Sequence, residues 1–156
     1  SAHGALISAI APDLSERAAT IVDRVSSLGS DEPVAVHGDF HSGQVLTDGP
    51  AITGLVDVDT SGMGSRADDL AVMLAHLSTL ALSSPARPII ERYGAALIRE
   101  FDEVTDPARL RVRTAAAVLG LADVDLDPPI ARFVDLVGGG YQQFAFTAAA
   151  GLQCLC

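Results

Sequence analysis

The stretch VHGDFHSGQVL, residues 36–46, concentrates polar side chains between apolar segments. Its apolar end, Val45 and Leu46, is followed by the turn Asp-Gly-Pro at 48–50 and by the segment ITGLVDV at 52–58. β-Branched residues that flank a Gly/Pro turn are typical of a small hairpin. The sequence therefore predicts that the polar residues form a loop between short strands, and that a functional site includes this loop.

Three side chains in this region suit a divalent cation. Asp39 and Gln44 lie in the loop, and Asp57 follows in the hairpin. Carboxylate and amide oxygens are hard ligands of the kind that Mg²⁺ binds together with water and phosphate oxygens. Asp57 and Asp59 alternate along the predicted strand, so one of them is expected to face water. Asp39 lies between two histidines in a glycine-flanked loop, where it is also a candidate base toward a hydroxyl group.

A transition-metal site is the main alternative. His37, Asp39 and His41 spell H-x-D-x-H, and two imidazoles with one carboxylate suit a metal ion used for hydrolysis. Such a site needs a further ligand, and the remaining histidines are His3 and His76. His76 is expected instead to be a satisfied histidine on a leucine-rich helix face. A non-catalytic binding or assembly module is a third hypothesis.

Helical periodicity surrounds the hairpin. Apolar residues recur at helical spacing from Leu14 to Leu28, and again after the glycine-rich segment 61–65, where Asp68 or Asp69 is predicted to cap the helix. Further helices are predicted at roughly 89–101, 107–121 and 129–137. The predicted fold is α+β, mostly helical, with one small β-hairpin that carries the candidate catalytic and metal loops. We divide this single domain into a leading helical segment 1–33, a site segment 34–82, a helical region 83–137 and a tail 138–156 without clear period.

Two local contacts are also predicted near helix starts. Asp106 and Pro107 form an Asp-Pro pair of the kind that caps and opens a helix. Arg66 either reaches a phosphate or pairs with Asp68 or Asp69, and the ion pair is the expected arrangement.

The composition limits the classes of function. The 156 residues are 49% hydrophobic with a formal net charge of −10, which suits one globular domain and disfavours binding to nucleic acid or to an anionic membrane. All ten basic residues are arginine, so mechanisms that need a lysine ammonium are excluded. Cys154 and Cys156 are too close for an unstrained disulfide and too few for a structural zinc site. Without a disulfide framework or a signal segment, a cytoplasmic location is expected.

The polar loop resembles a known family signature. HGDFHSGQVL is similar to the HGDxHxxN pattern of aminoglycoside phosphotransferases and their choline, homoserine and sugar kinase relatives. GLVDVDTSG at 54–62 resembles the second signature of that family, an apolar strand that ends in a metal-binding aspartate, and DDLAVMLAHL at 68–77 resembles the helix that follows it. The resemblance covers residues 34–82. It implies the C-terminal lobe of a protein-kinase-like fold and ATP-dependent transfer of a γ-phosphate to a hydroxyl of an aminoglycoside, a sugar or an amino alcohol.

The resemblance also implies roles for single residues. Asp39 corresponds to the catalytic-loop aspartate that orients the acceptor hydroxyl and takes its proton. Asp57 corresponds to the aspartate that holds Mg²⁺ on the ATP phosphates. Gln44 stands where most of the family has the asparagine that is the second metal ligand, and the Gln form of the motif is similar to maltokinase-like members. With one more methylene, Gln44 is expected to shift the metal geometry rather than abolish binding.

The remaining signature residues are expected to support the site. By the same resemblance, His37 anchors the loop, Gly38 lets backbone pass closely, and Asp69 hydrogen-bonds the loop backbone and caps its own helix. Asp123, Asp125 and Asp127 are possible contacts for a cationic acceptor.

A complete kinase-like enzyme also needs a β-rich lobe with a glycine-rich cover over the phosphates and a lysine on a strand. The 156 residues contain no lysine, so we expect that the nucleotide-gripping lobe is missing. We therefore expect that the chain is the C-terminal half of a longer protein or a relic of one. It should turn over poorly by itself.

Overall fold

The computed structural model of the protein describes residues 15–124. Four helices run through this region: α1 Ser15–Ser27, α2 Arg66–Ser83, α3 Arg87–Asp102 and α4 Pro107–Val124. Four short strands lie between α1 and α2: β1 Val34–Val36, β2 Val45–Asp48, β3 Ala51–Leu55 and β4 Gly62–Gly64. The predicted α+β, mostly helical fold is confirmed. The helix predicted at 129–137, the tail, both cysteines and the side chains of Asp123, Asp125 and Asp127 lie outside the described residues.

The core is built on α2, which packs against both α4 and α3. Ala67, Ala71 and Ala75 are buried on α2 at a spacing of four residues, so they form one narrow row along the helix. Helices that meet through small side chains approach closely. Leu74 of α2 and Leu110 of α4 fill the centre of this contact. The hydrophobic core therefore lies behind the strands, and α2 is the element that both the core and the strands share.

None of the helices in the described region 15–124 is long and apolar enough to cross a membrane.

The starts of α2 and α4 are built differently. The Asp106 carboxylate accepts a hydrogen bond of 2.7 Å from the backbone N–H of Arg109, so the predicted Asp-Pro cap of α4 is confirmed. The predicted cap of α2 at Asp68 or Asp69 is wrong, because α2 begins at Arg66 with Ser65 at the N-cap position. Both carboxylates lie in the first turn instead, where they remain free to contact other elements.

The expected ion pair of Arg66 is also wrong. Its guanidinium donates a hydrogen bond of 3.0 Å to the backbone carbonyl of Val104. Asp68 pairs instead with Arg113 of α4, with Nε 3.1 Å from the carboxylate. Arg66 therefore ties the start of α2 to the end of the α3 region.

The strands form two antiparallel pairs. β2 and β3 form the predicted hairpin, and β1 pairs with β4. The segment 61–65, predicted only to separate the hairpin from α2, thus contains a strand. Its glycines hide the alternation of side chains that identifies a strand. Gly64 pairs with Val34, and a Cβ at Gly64 would lie 2.8 Å from a methyl of the neighbouring Val36. Because β1 and β4 pair on either side of the hairpin, the loops after β1 and after β3 are brought to the same region.

A network of polar contacts fixes the approach to β1. The Arg109 guanidinium forms an ion pair of 2.8 Å with Asp31 and donates to the carbonyl of Gly29. The hydroxyl of Ser65, next to α2, donates to the same Asp31 carboxylate. One aspartate therefore joins the segment before β1 to the starts of both α2 and α4.

Replacing Leu110 by alanine tests the core. Leu110 is 1% exposed, so Leu110→Ala should lower the free energy of unfolding by about 2–5 kcal/mol through lost burial and the cavity left behind. Leu80→Ala is the matched control, because Leu80 lies on α2 with 48% of its surface exposed and should cost much less. Urea denaturation followed by circular dichroism measures both values. Equal costs for the two variants would contradict this core.

Candidate functional site

One carboxylate anchors the polar loop to α2. The backbone N–H of His37 donates to one oxygen of Asp69 at 2.6 Å, and the backbone N–H of Gly38 donates to the other oxygen at 2.9 Å. Hydrogen bonds to a charged acceptor are shorter and stronger than neutral ones. The two N–H groups follow directly after β1, where the strand ladder no longer supplies acceptors. Asp69 thus holds the loop at the point where it leaves the sheet.

A second contact joins the two loops. Gly38 has a φ of +89°, and a Cβ at this position would lie 2.4 Å from the backbone carbonyl oxygen of Thr60. The hydroxyl of Thr60 donates to the carbonyl of His37 at 3.0 Å. Gly38 is therefore needed twice, for its left-handed backbone and for the absence of a side chain.

The His37 ring is turned inward and is 6% exposed. Its Nε2 lies 2.8 Å from the carbonyl oxygen of Val56, so Nε2 donates, since a carbonyl only accepts. Nδ1 then accepts from the backbone N–H of Asp39 at 3.4 Å. With both ring nitrogens engaged, His37 links the loop to the end of β3. The metal set His37, Asp39 and His41 suggested by the H-x-D-x-H spacing is wrong in its first member.

Gln44 and Asp57 are brought together as a pair. Gln44 is 8% exposed, and its side-chain amide donates to an Asp57 carboxylate oxygen at 3.0 Å. The backbone carbonyl of Gln44 accepts from Val56 at 3.0 Å. If the Gln44 amide turns over, it presents an oxygen beside the Asp57 carboxylate. These two hard oxygens fit the requirements of Mg²⁺.

Asp57 adopts an unusual backbone conformation. Its φ of 60° and ψ of 48° are left-handed, and among the described residues it is the only one other than glycine with a positive φ. Such a conformation costs about 1–3 kcal/mol and persists where surrounding contacts enforce it. Asp59 lies in the 3₁₀ turn Val58–Thr60 that follows, so the predicted alternation of Asp57 and Asp59 on one strand is wrong. The 3₁₀ turn, rather than the alternation of side chains along a strand, therefore separates the position of Asp57 from that of Asp59.

Asp39 lies at the surface of the anchored loop. Its side chain is 48% exposed, with a carboxylate oxygen 3.8 Å from Nε2 of His41. His41 precedes the 3₁₀ turn Ser42–Gln44 and caps it, because its Nδ1 accepts from the backbone N–H of Gly43 at 3.1 Å. Asp39 is therefore accessible to a small molecule, while the backbone on both sides of it is held.

His76 lies on α2 as predicted, but its position beside the polar loop was not predicted. The rings of His76 and His41 are stacked, with centroids 4.3 Å apart and planes 19° from parallel. Asp39, His41 and His76 each offer one ligand atom, and these atoms lie within 4.8 Å of one another. The spacing in the sequence could have indicated this position. His76 is seven residues after Asp69, so both lie on the same face of α2, two helical turns apart.

Comparison with known proteins gives one match. A family model described as the phosphotransferase enzyme family matches residues 3–113, which is more than half of the chain. The match spans the polar loop, both strand pairs, α2 and α3. No curated protein and no solved structure matches the chain.

Substitution of Asp69 tests the anchor. Asparagine has a single acceptor oxygen, so Asp69→Asn should leave one loop N–H without its partner and lower stability by about 1–3 kcal/mol. Asp68→Asn is the matched control in the same helical turn, since the partly exposed pair with Arg113 is worth about 0–1 kcal/mol. Chemical denaturation measures the difference. An Asp69→Asn variant as stable as the control would show that Asp69 does not anchor the loop.

Substitution of Gly38 tests the close contact between the loops. Gly38→Ala should combine a left-handed backbone penalty of about 1–2 kcal/mol with the clash against Thr60. Gly49→Ala is a control for a left-handed backbone without the clash, because Gly49 has a φ of +56° and open space around it. The loss in melting temperature should therefore be clearly larger for Gly38→Ala. Equal losses would show that the loops are not in contact.

Proposed function

The chain belongs to the phosphotransferase enzyme family, and from that premise we propose that it supplies the catalytic and metal-binding side chains of an enzyme that transfers the γ-phosphate of ATP to a hydroxyl of a small polar molecule. The observation that carries this proposal is the exposed Asp39 carboxylate on a loop that Asp69, His37 and Thr60 hold in place. A catalytic group on a held backbone is the requirement of a reaction that depends on positioning.

Asp39 is the proposed catalytic residue. A hydroxyl within hydrogen-bond reach of its carboxylate would be oriented for attack, and its proton would pass to a carboxylate oxygen as the new O–P bond forms. The exposed carboxylate leaves room for such a hydroxyl. His41, 3.8 Å away, adds a polar neighbour that limits how Asp39 turns.

Gln44 and Asp57 are the proposed ligands of Mg²⁺. When bound, the ion supplies positive charge that neutralises the phosphate oxygens. The burial of Gln44 and the backbone hydrogen bond from Val56 restrict where the longer glutamine side chain extends. The left-handed backbone of Asp57 is consistent with strain retained at a ligand site.

Binding of the nucleotide in kinase-like enzymes also requires positive charge near the phosphates. Ten arginines and no lysine are present, so the charge that a strand lysine supplies in kinase-like enzymes has to come from arginine or from a segment outside these 156 residues. We infer that the chain alone has little turnover. Aminoglycosides, sugars and amino alcohols are the acceptor classes, and the net charge of −10 suits a cationic one.

Phosphotransfer by the full-length gene product tests the proposal. ADP release should depend on Mg²⁺ and on one acceptor from a panel that includes aminoglycosides, maltose and choline. Asp39→Asn should lower kcat by about 10²–10⁴-fold through loss of the base. Asp57→Asn should lower activity and raise the Mg²⁺ requirement, because a charged ligand is lost.

Asp59→Asn is the control, since it removes a nearby carboxylate in the adjacent turn that has no part in the proposal. Phosphotransfer that survives Asp39→Asn at the parent rate would overturn the catalytic assignment. Absence of ADP release with every acceptor would favour the non-catalytic binding or assembly module.

A further inference from the structure

Asp39, His41 and His76 form a second group of side chains that could ligate a metal ion, separate in composition from Gln44 and Asp57. Their ligand atoms lie within 4.8 Å of one another, and all three residues are partly exposed. Two belong to the anchored loop and the third to α2, so the group depends on the folded structure. An unfolded chain would not keep His76 beside the loop.

The donor set selects a class of metal. Two imidazole nitrogens and one carboxylate oxygen suit Zn²⁺ and neighbouring transition metals, whereas Mg²⁺ prefers oxygen ligands alone. Three protein ligands leave a fourth tetrahedral position for water. The all-oxygen pair Gln44 and Asp57 and this nitrogen-rich group therefore differ in the metal that each would hold.

The geometry allows binding after small side-chain movements. Zn–N distances of about 2.0–2.1 Å place two ligand atoms roughly 3.3 Å apart in a tetrahedral site. The present spread of up to 4.8 Å has to contract, and the stacked imidazoles have to tilt from their near-parallel arrangement. The three residues are partly exposed, so rotation of their side chains is the movement that binding requires.

Binding also has a local cost at His41. Its Nδ1 accepts from Gly43, so the neutral ring carries its proton on Nε2. Coordination through Nε2 moves that proton to Nδ1, and coordination through Nδ1 replaces the hydrogen bond directly. Either way the capping hydrogen bond from Gly43 is lost, which favours a reversible site over a permanent structural one.

We propose that Asp39, His41 and His76 bind a transition metal of the Zn²⁺ class, and that the bound metal blocks phosphotransfer. A metal ion on the Asp39 carboxylate withdraws negative charge from both of its oxygens and makes them weaker acceptors of the hydroxyl proton, so metal occupancy opposes the proposed role of Asp39. Metal binding itself is independent of the proposed function. Only the blocking effect rests on it.

Direct metal titration without nucleotide tests the binding. Cysteine thiolates are zinc ligands in general, so the full chain carries Cys154→Ser and Cys156→Ser throughout to remove this source of binding. Co²⁺ titration should give visible bands of a tetrahedral site, and Zn²⁺ competed against a chromophoric chelator should bind one ion per chain. His41→Gln and His76→Gln should each lower the affinity for Zn²⁺ by at least roughly 10–100-fold. This is the loss expected when only an outer-shell partner of a metal ligand is removed.

Asp39→Asn removes a proposed ligand and should weaken Zn²⁺ binding. Its matched control, Asp59→Asn, removes a carboxylate that is not a ligand and should leave Zn²⁺ binding unchanged. Zn²⁺ affinity unchanged by His76→Gln, or no Zn²⁺ binding in the cysteine-free chain, would overturn the site. Circular dichroism of each variant confirms that a lost signal is not lost folding.

The blocking effect is measured on the full-length gene product at fixed Mg²⁺ and ATP. In the His76→Gln variant, the Zn²⁺ concentration that gives half-inhibition should rise by the same factor as the Kd of the variant for Zn²⁺. Full activity at Zn²⁺ concentrations that fill the site would overturn the blocking effect. Zn²⁺ binding that requires the three residues, in a protein without any phosphotransfer, would refute the proposed function and leave the metal site standing.

Discussion

The two hydrogen bonds from the loop backbone to the Asp69 carboxylate are the contact on which the site depends. The loop leaves β1 with two N–H groups that have no strand partner, and the N–H of His37 is partly buried, where an N–H group without an acceptor is costly. A single side chain in the first turn of α2 satisfies both of them. Since α2 is also the centre of the hydrophobic core, the position of the loop follows the most buried element of the fold.

The polar residues that are buried in the described part of the chain, His37 and Gln44, both belong to the site. Each one joins the loop after β1 to the loop after β3, through Val56 in both cases and also through Asp57 for Gln44. These contacts compensate for the strained backbone of Asp57. The site therefore consists of two short loops that are fastened to each other and to one helix, with Asp39 left accessible between them.

Much of this arrangement follows from local sequence patterns. Helical periodicity and the turn at 48–50 were enough to predict the mostly helical fold and the hairpin, and the Asp106 and Pro107 pair was enough to predict the start of α4. Two features were hidden for physical reasons. Strand β4 consists largely of glycine and has no alternating side chains, so pairing with β1 defines it. Asp68 and Asp69 resemble helix-cap residues in sequence. In the structure, Asp69 accepts hydrogen bonds from the polar loop and Asp68 pairs with Arg113.

Asp69 and His76 contact the polar loop at two points, Gly38 and His41, because they lie seven residues apart on one face of α2, about 10.5 Å along its axis. The phase of the helix therefore determines which of its side chains reach the loop. Inserting or deleting one residue between Asp69 and His76 would rotate the histidine by roughly 100° away from the loop. Over evolution, this segment should therefore change by replacement of residues and keep its length.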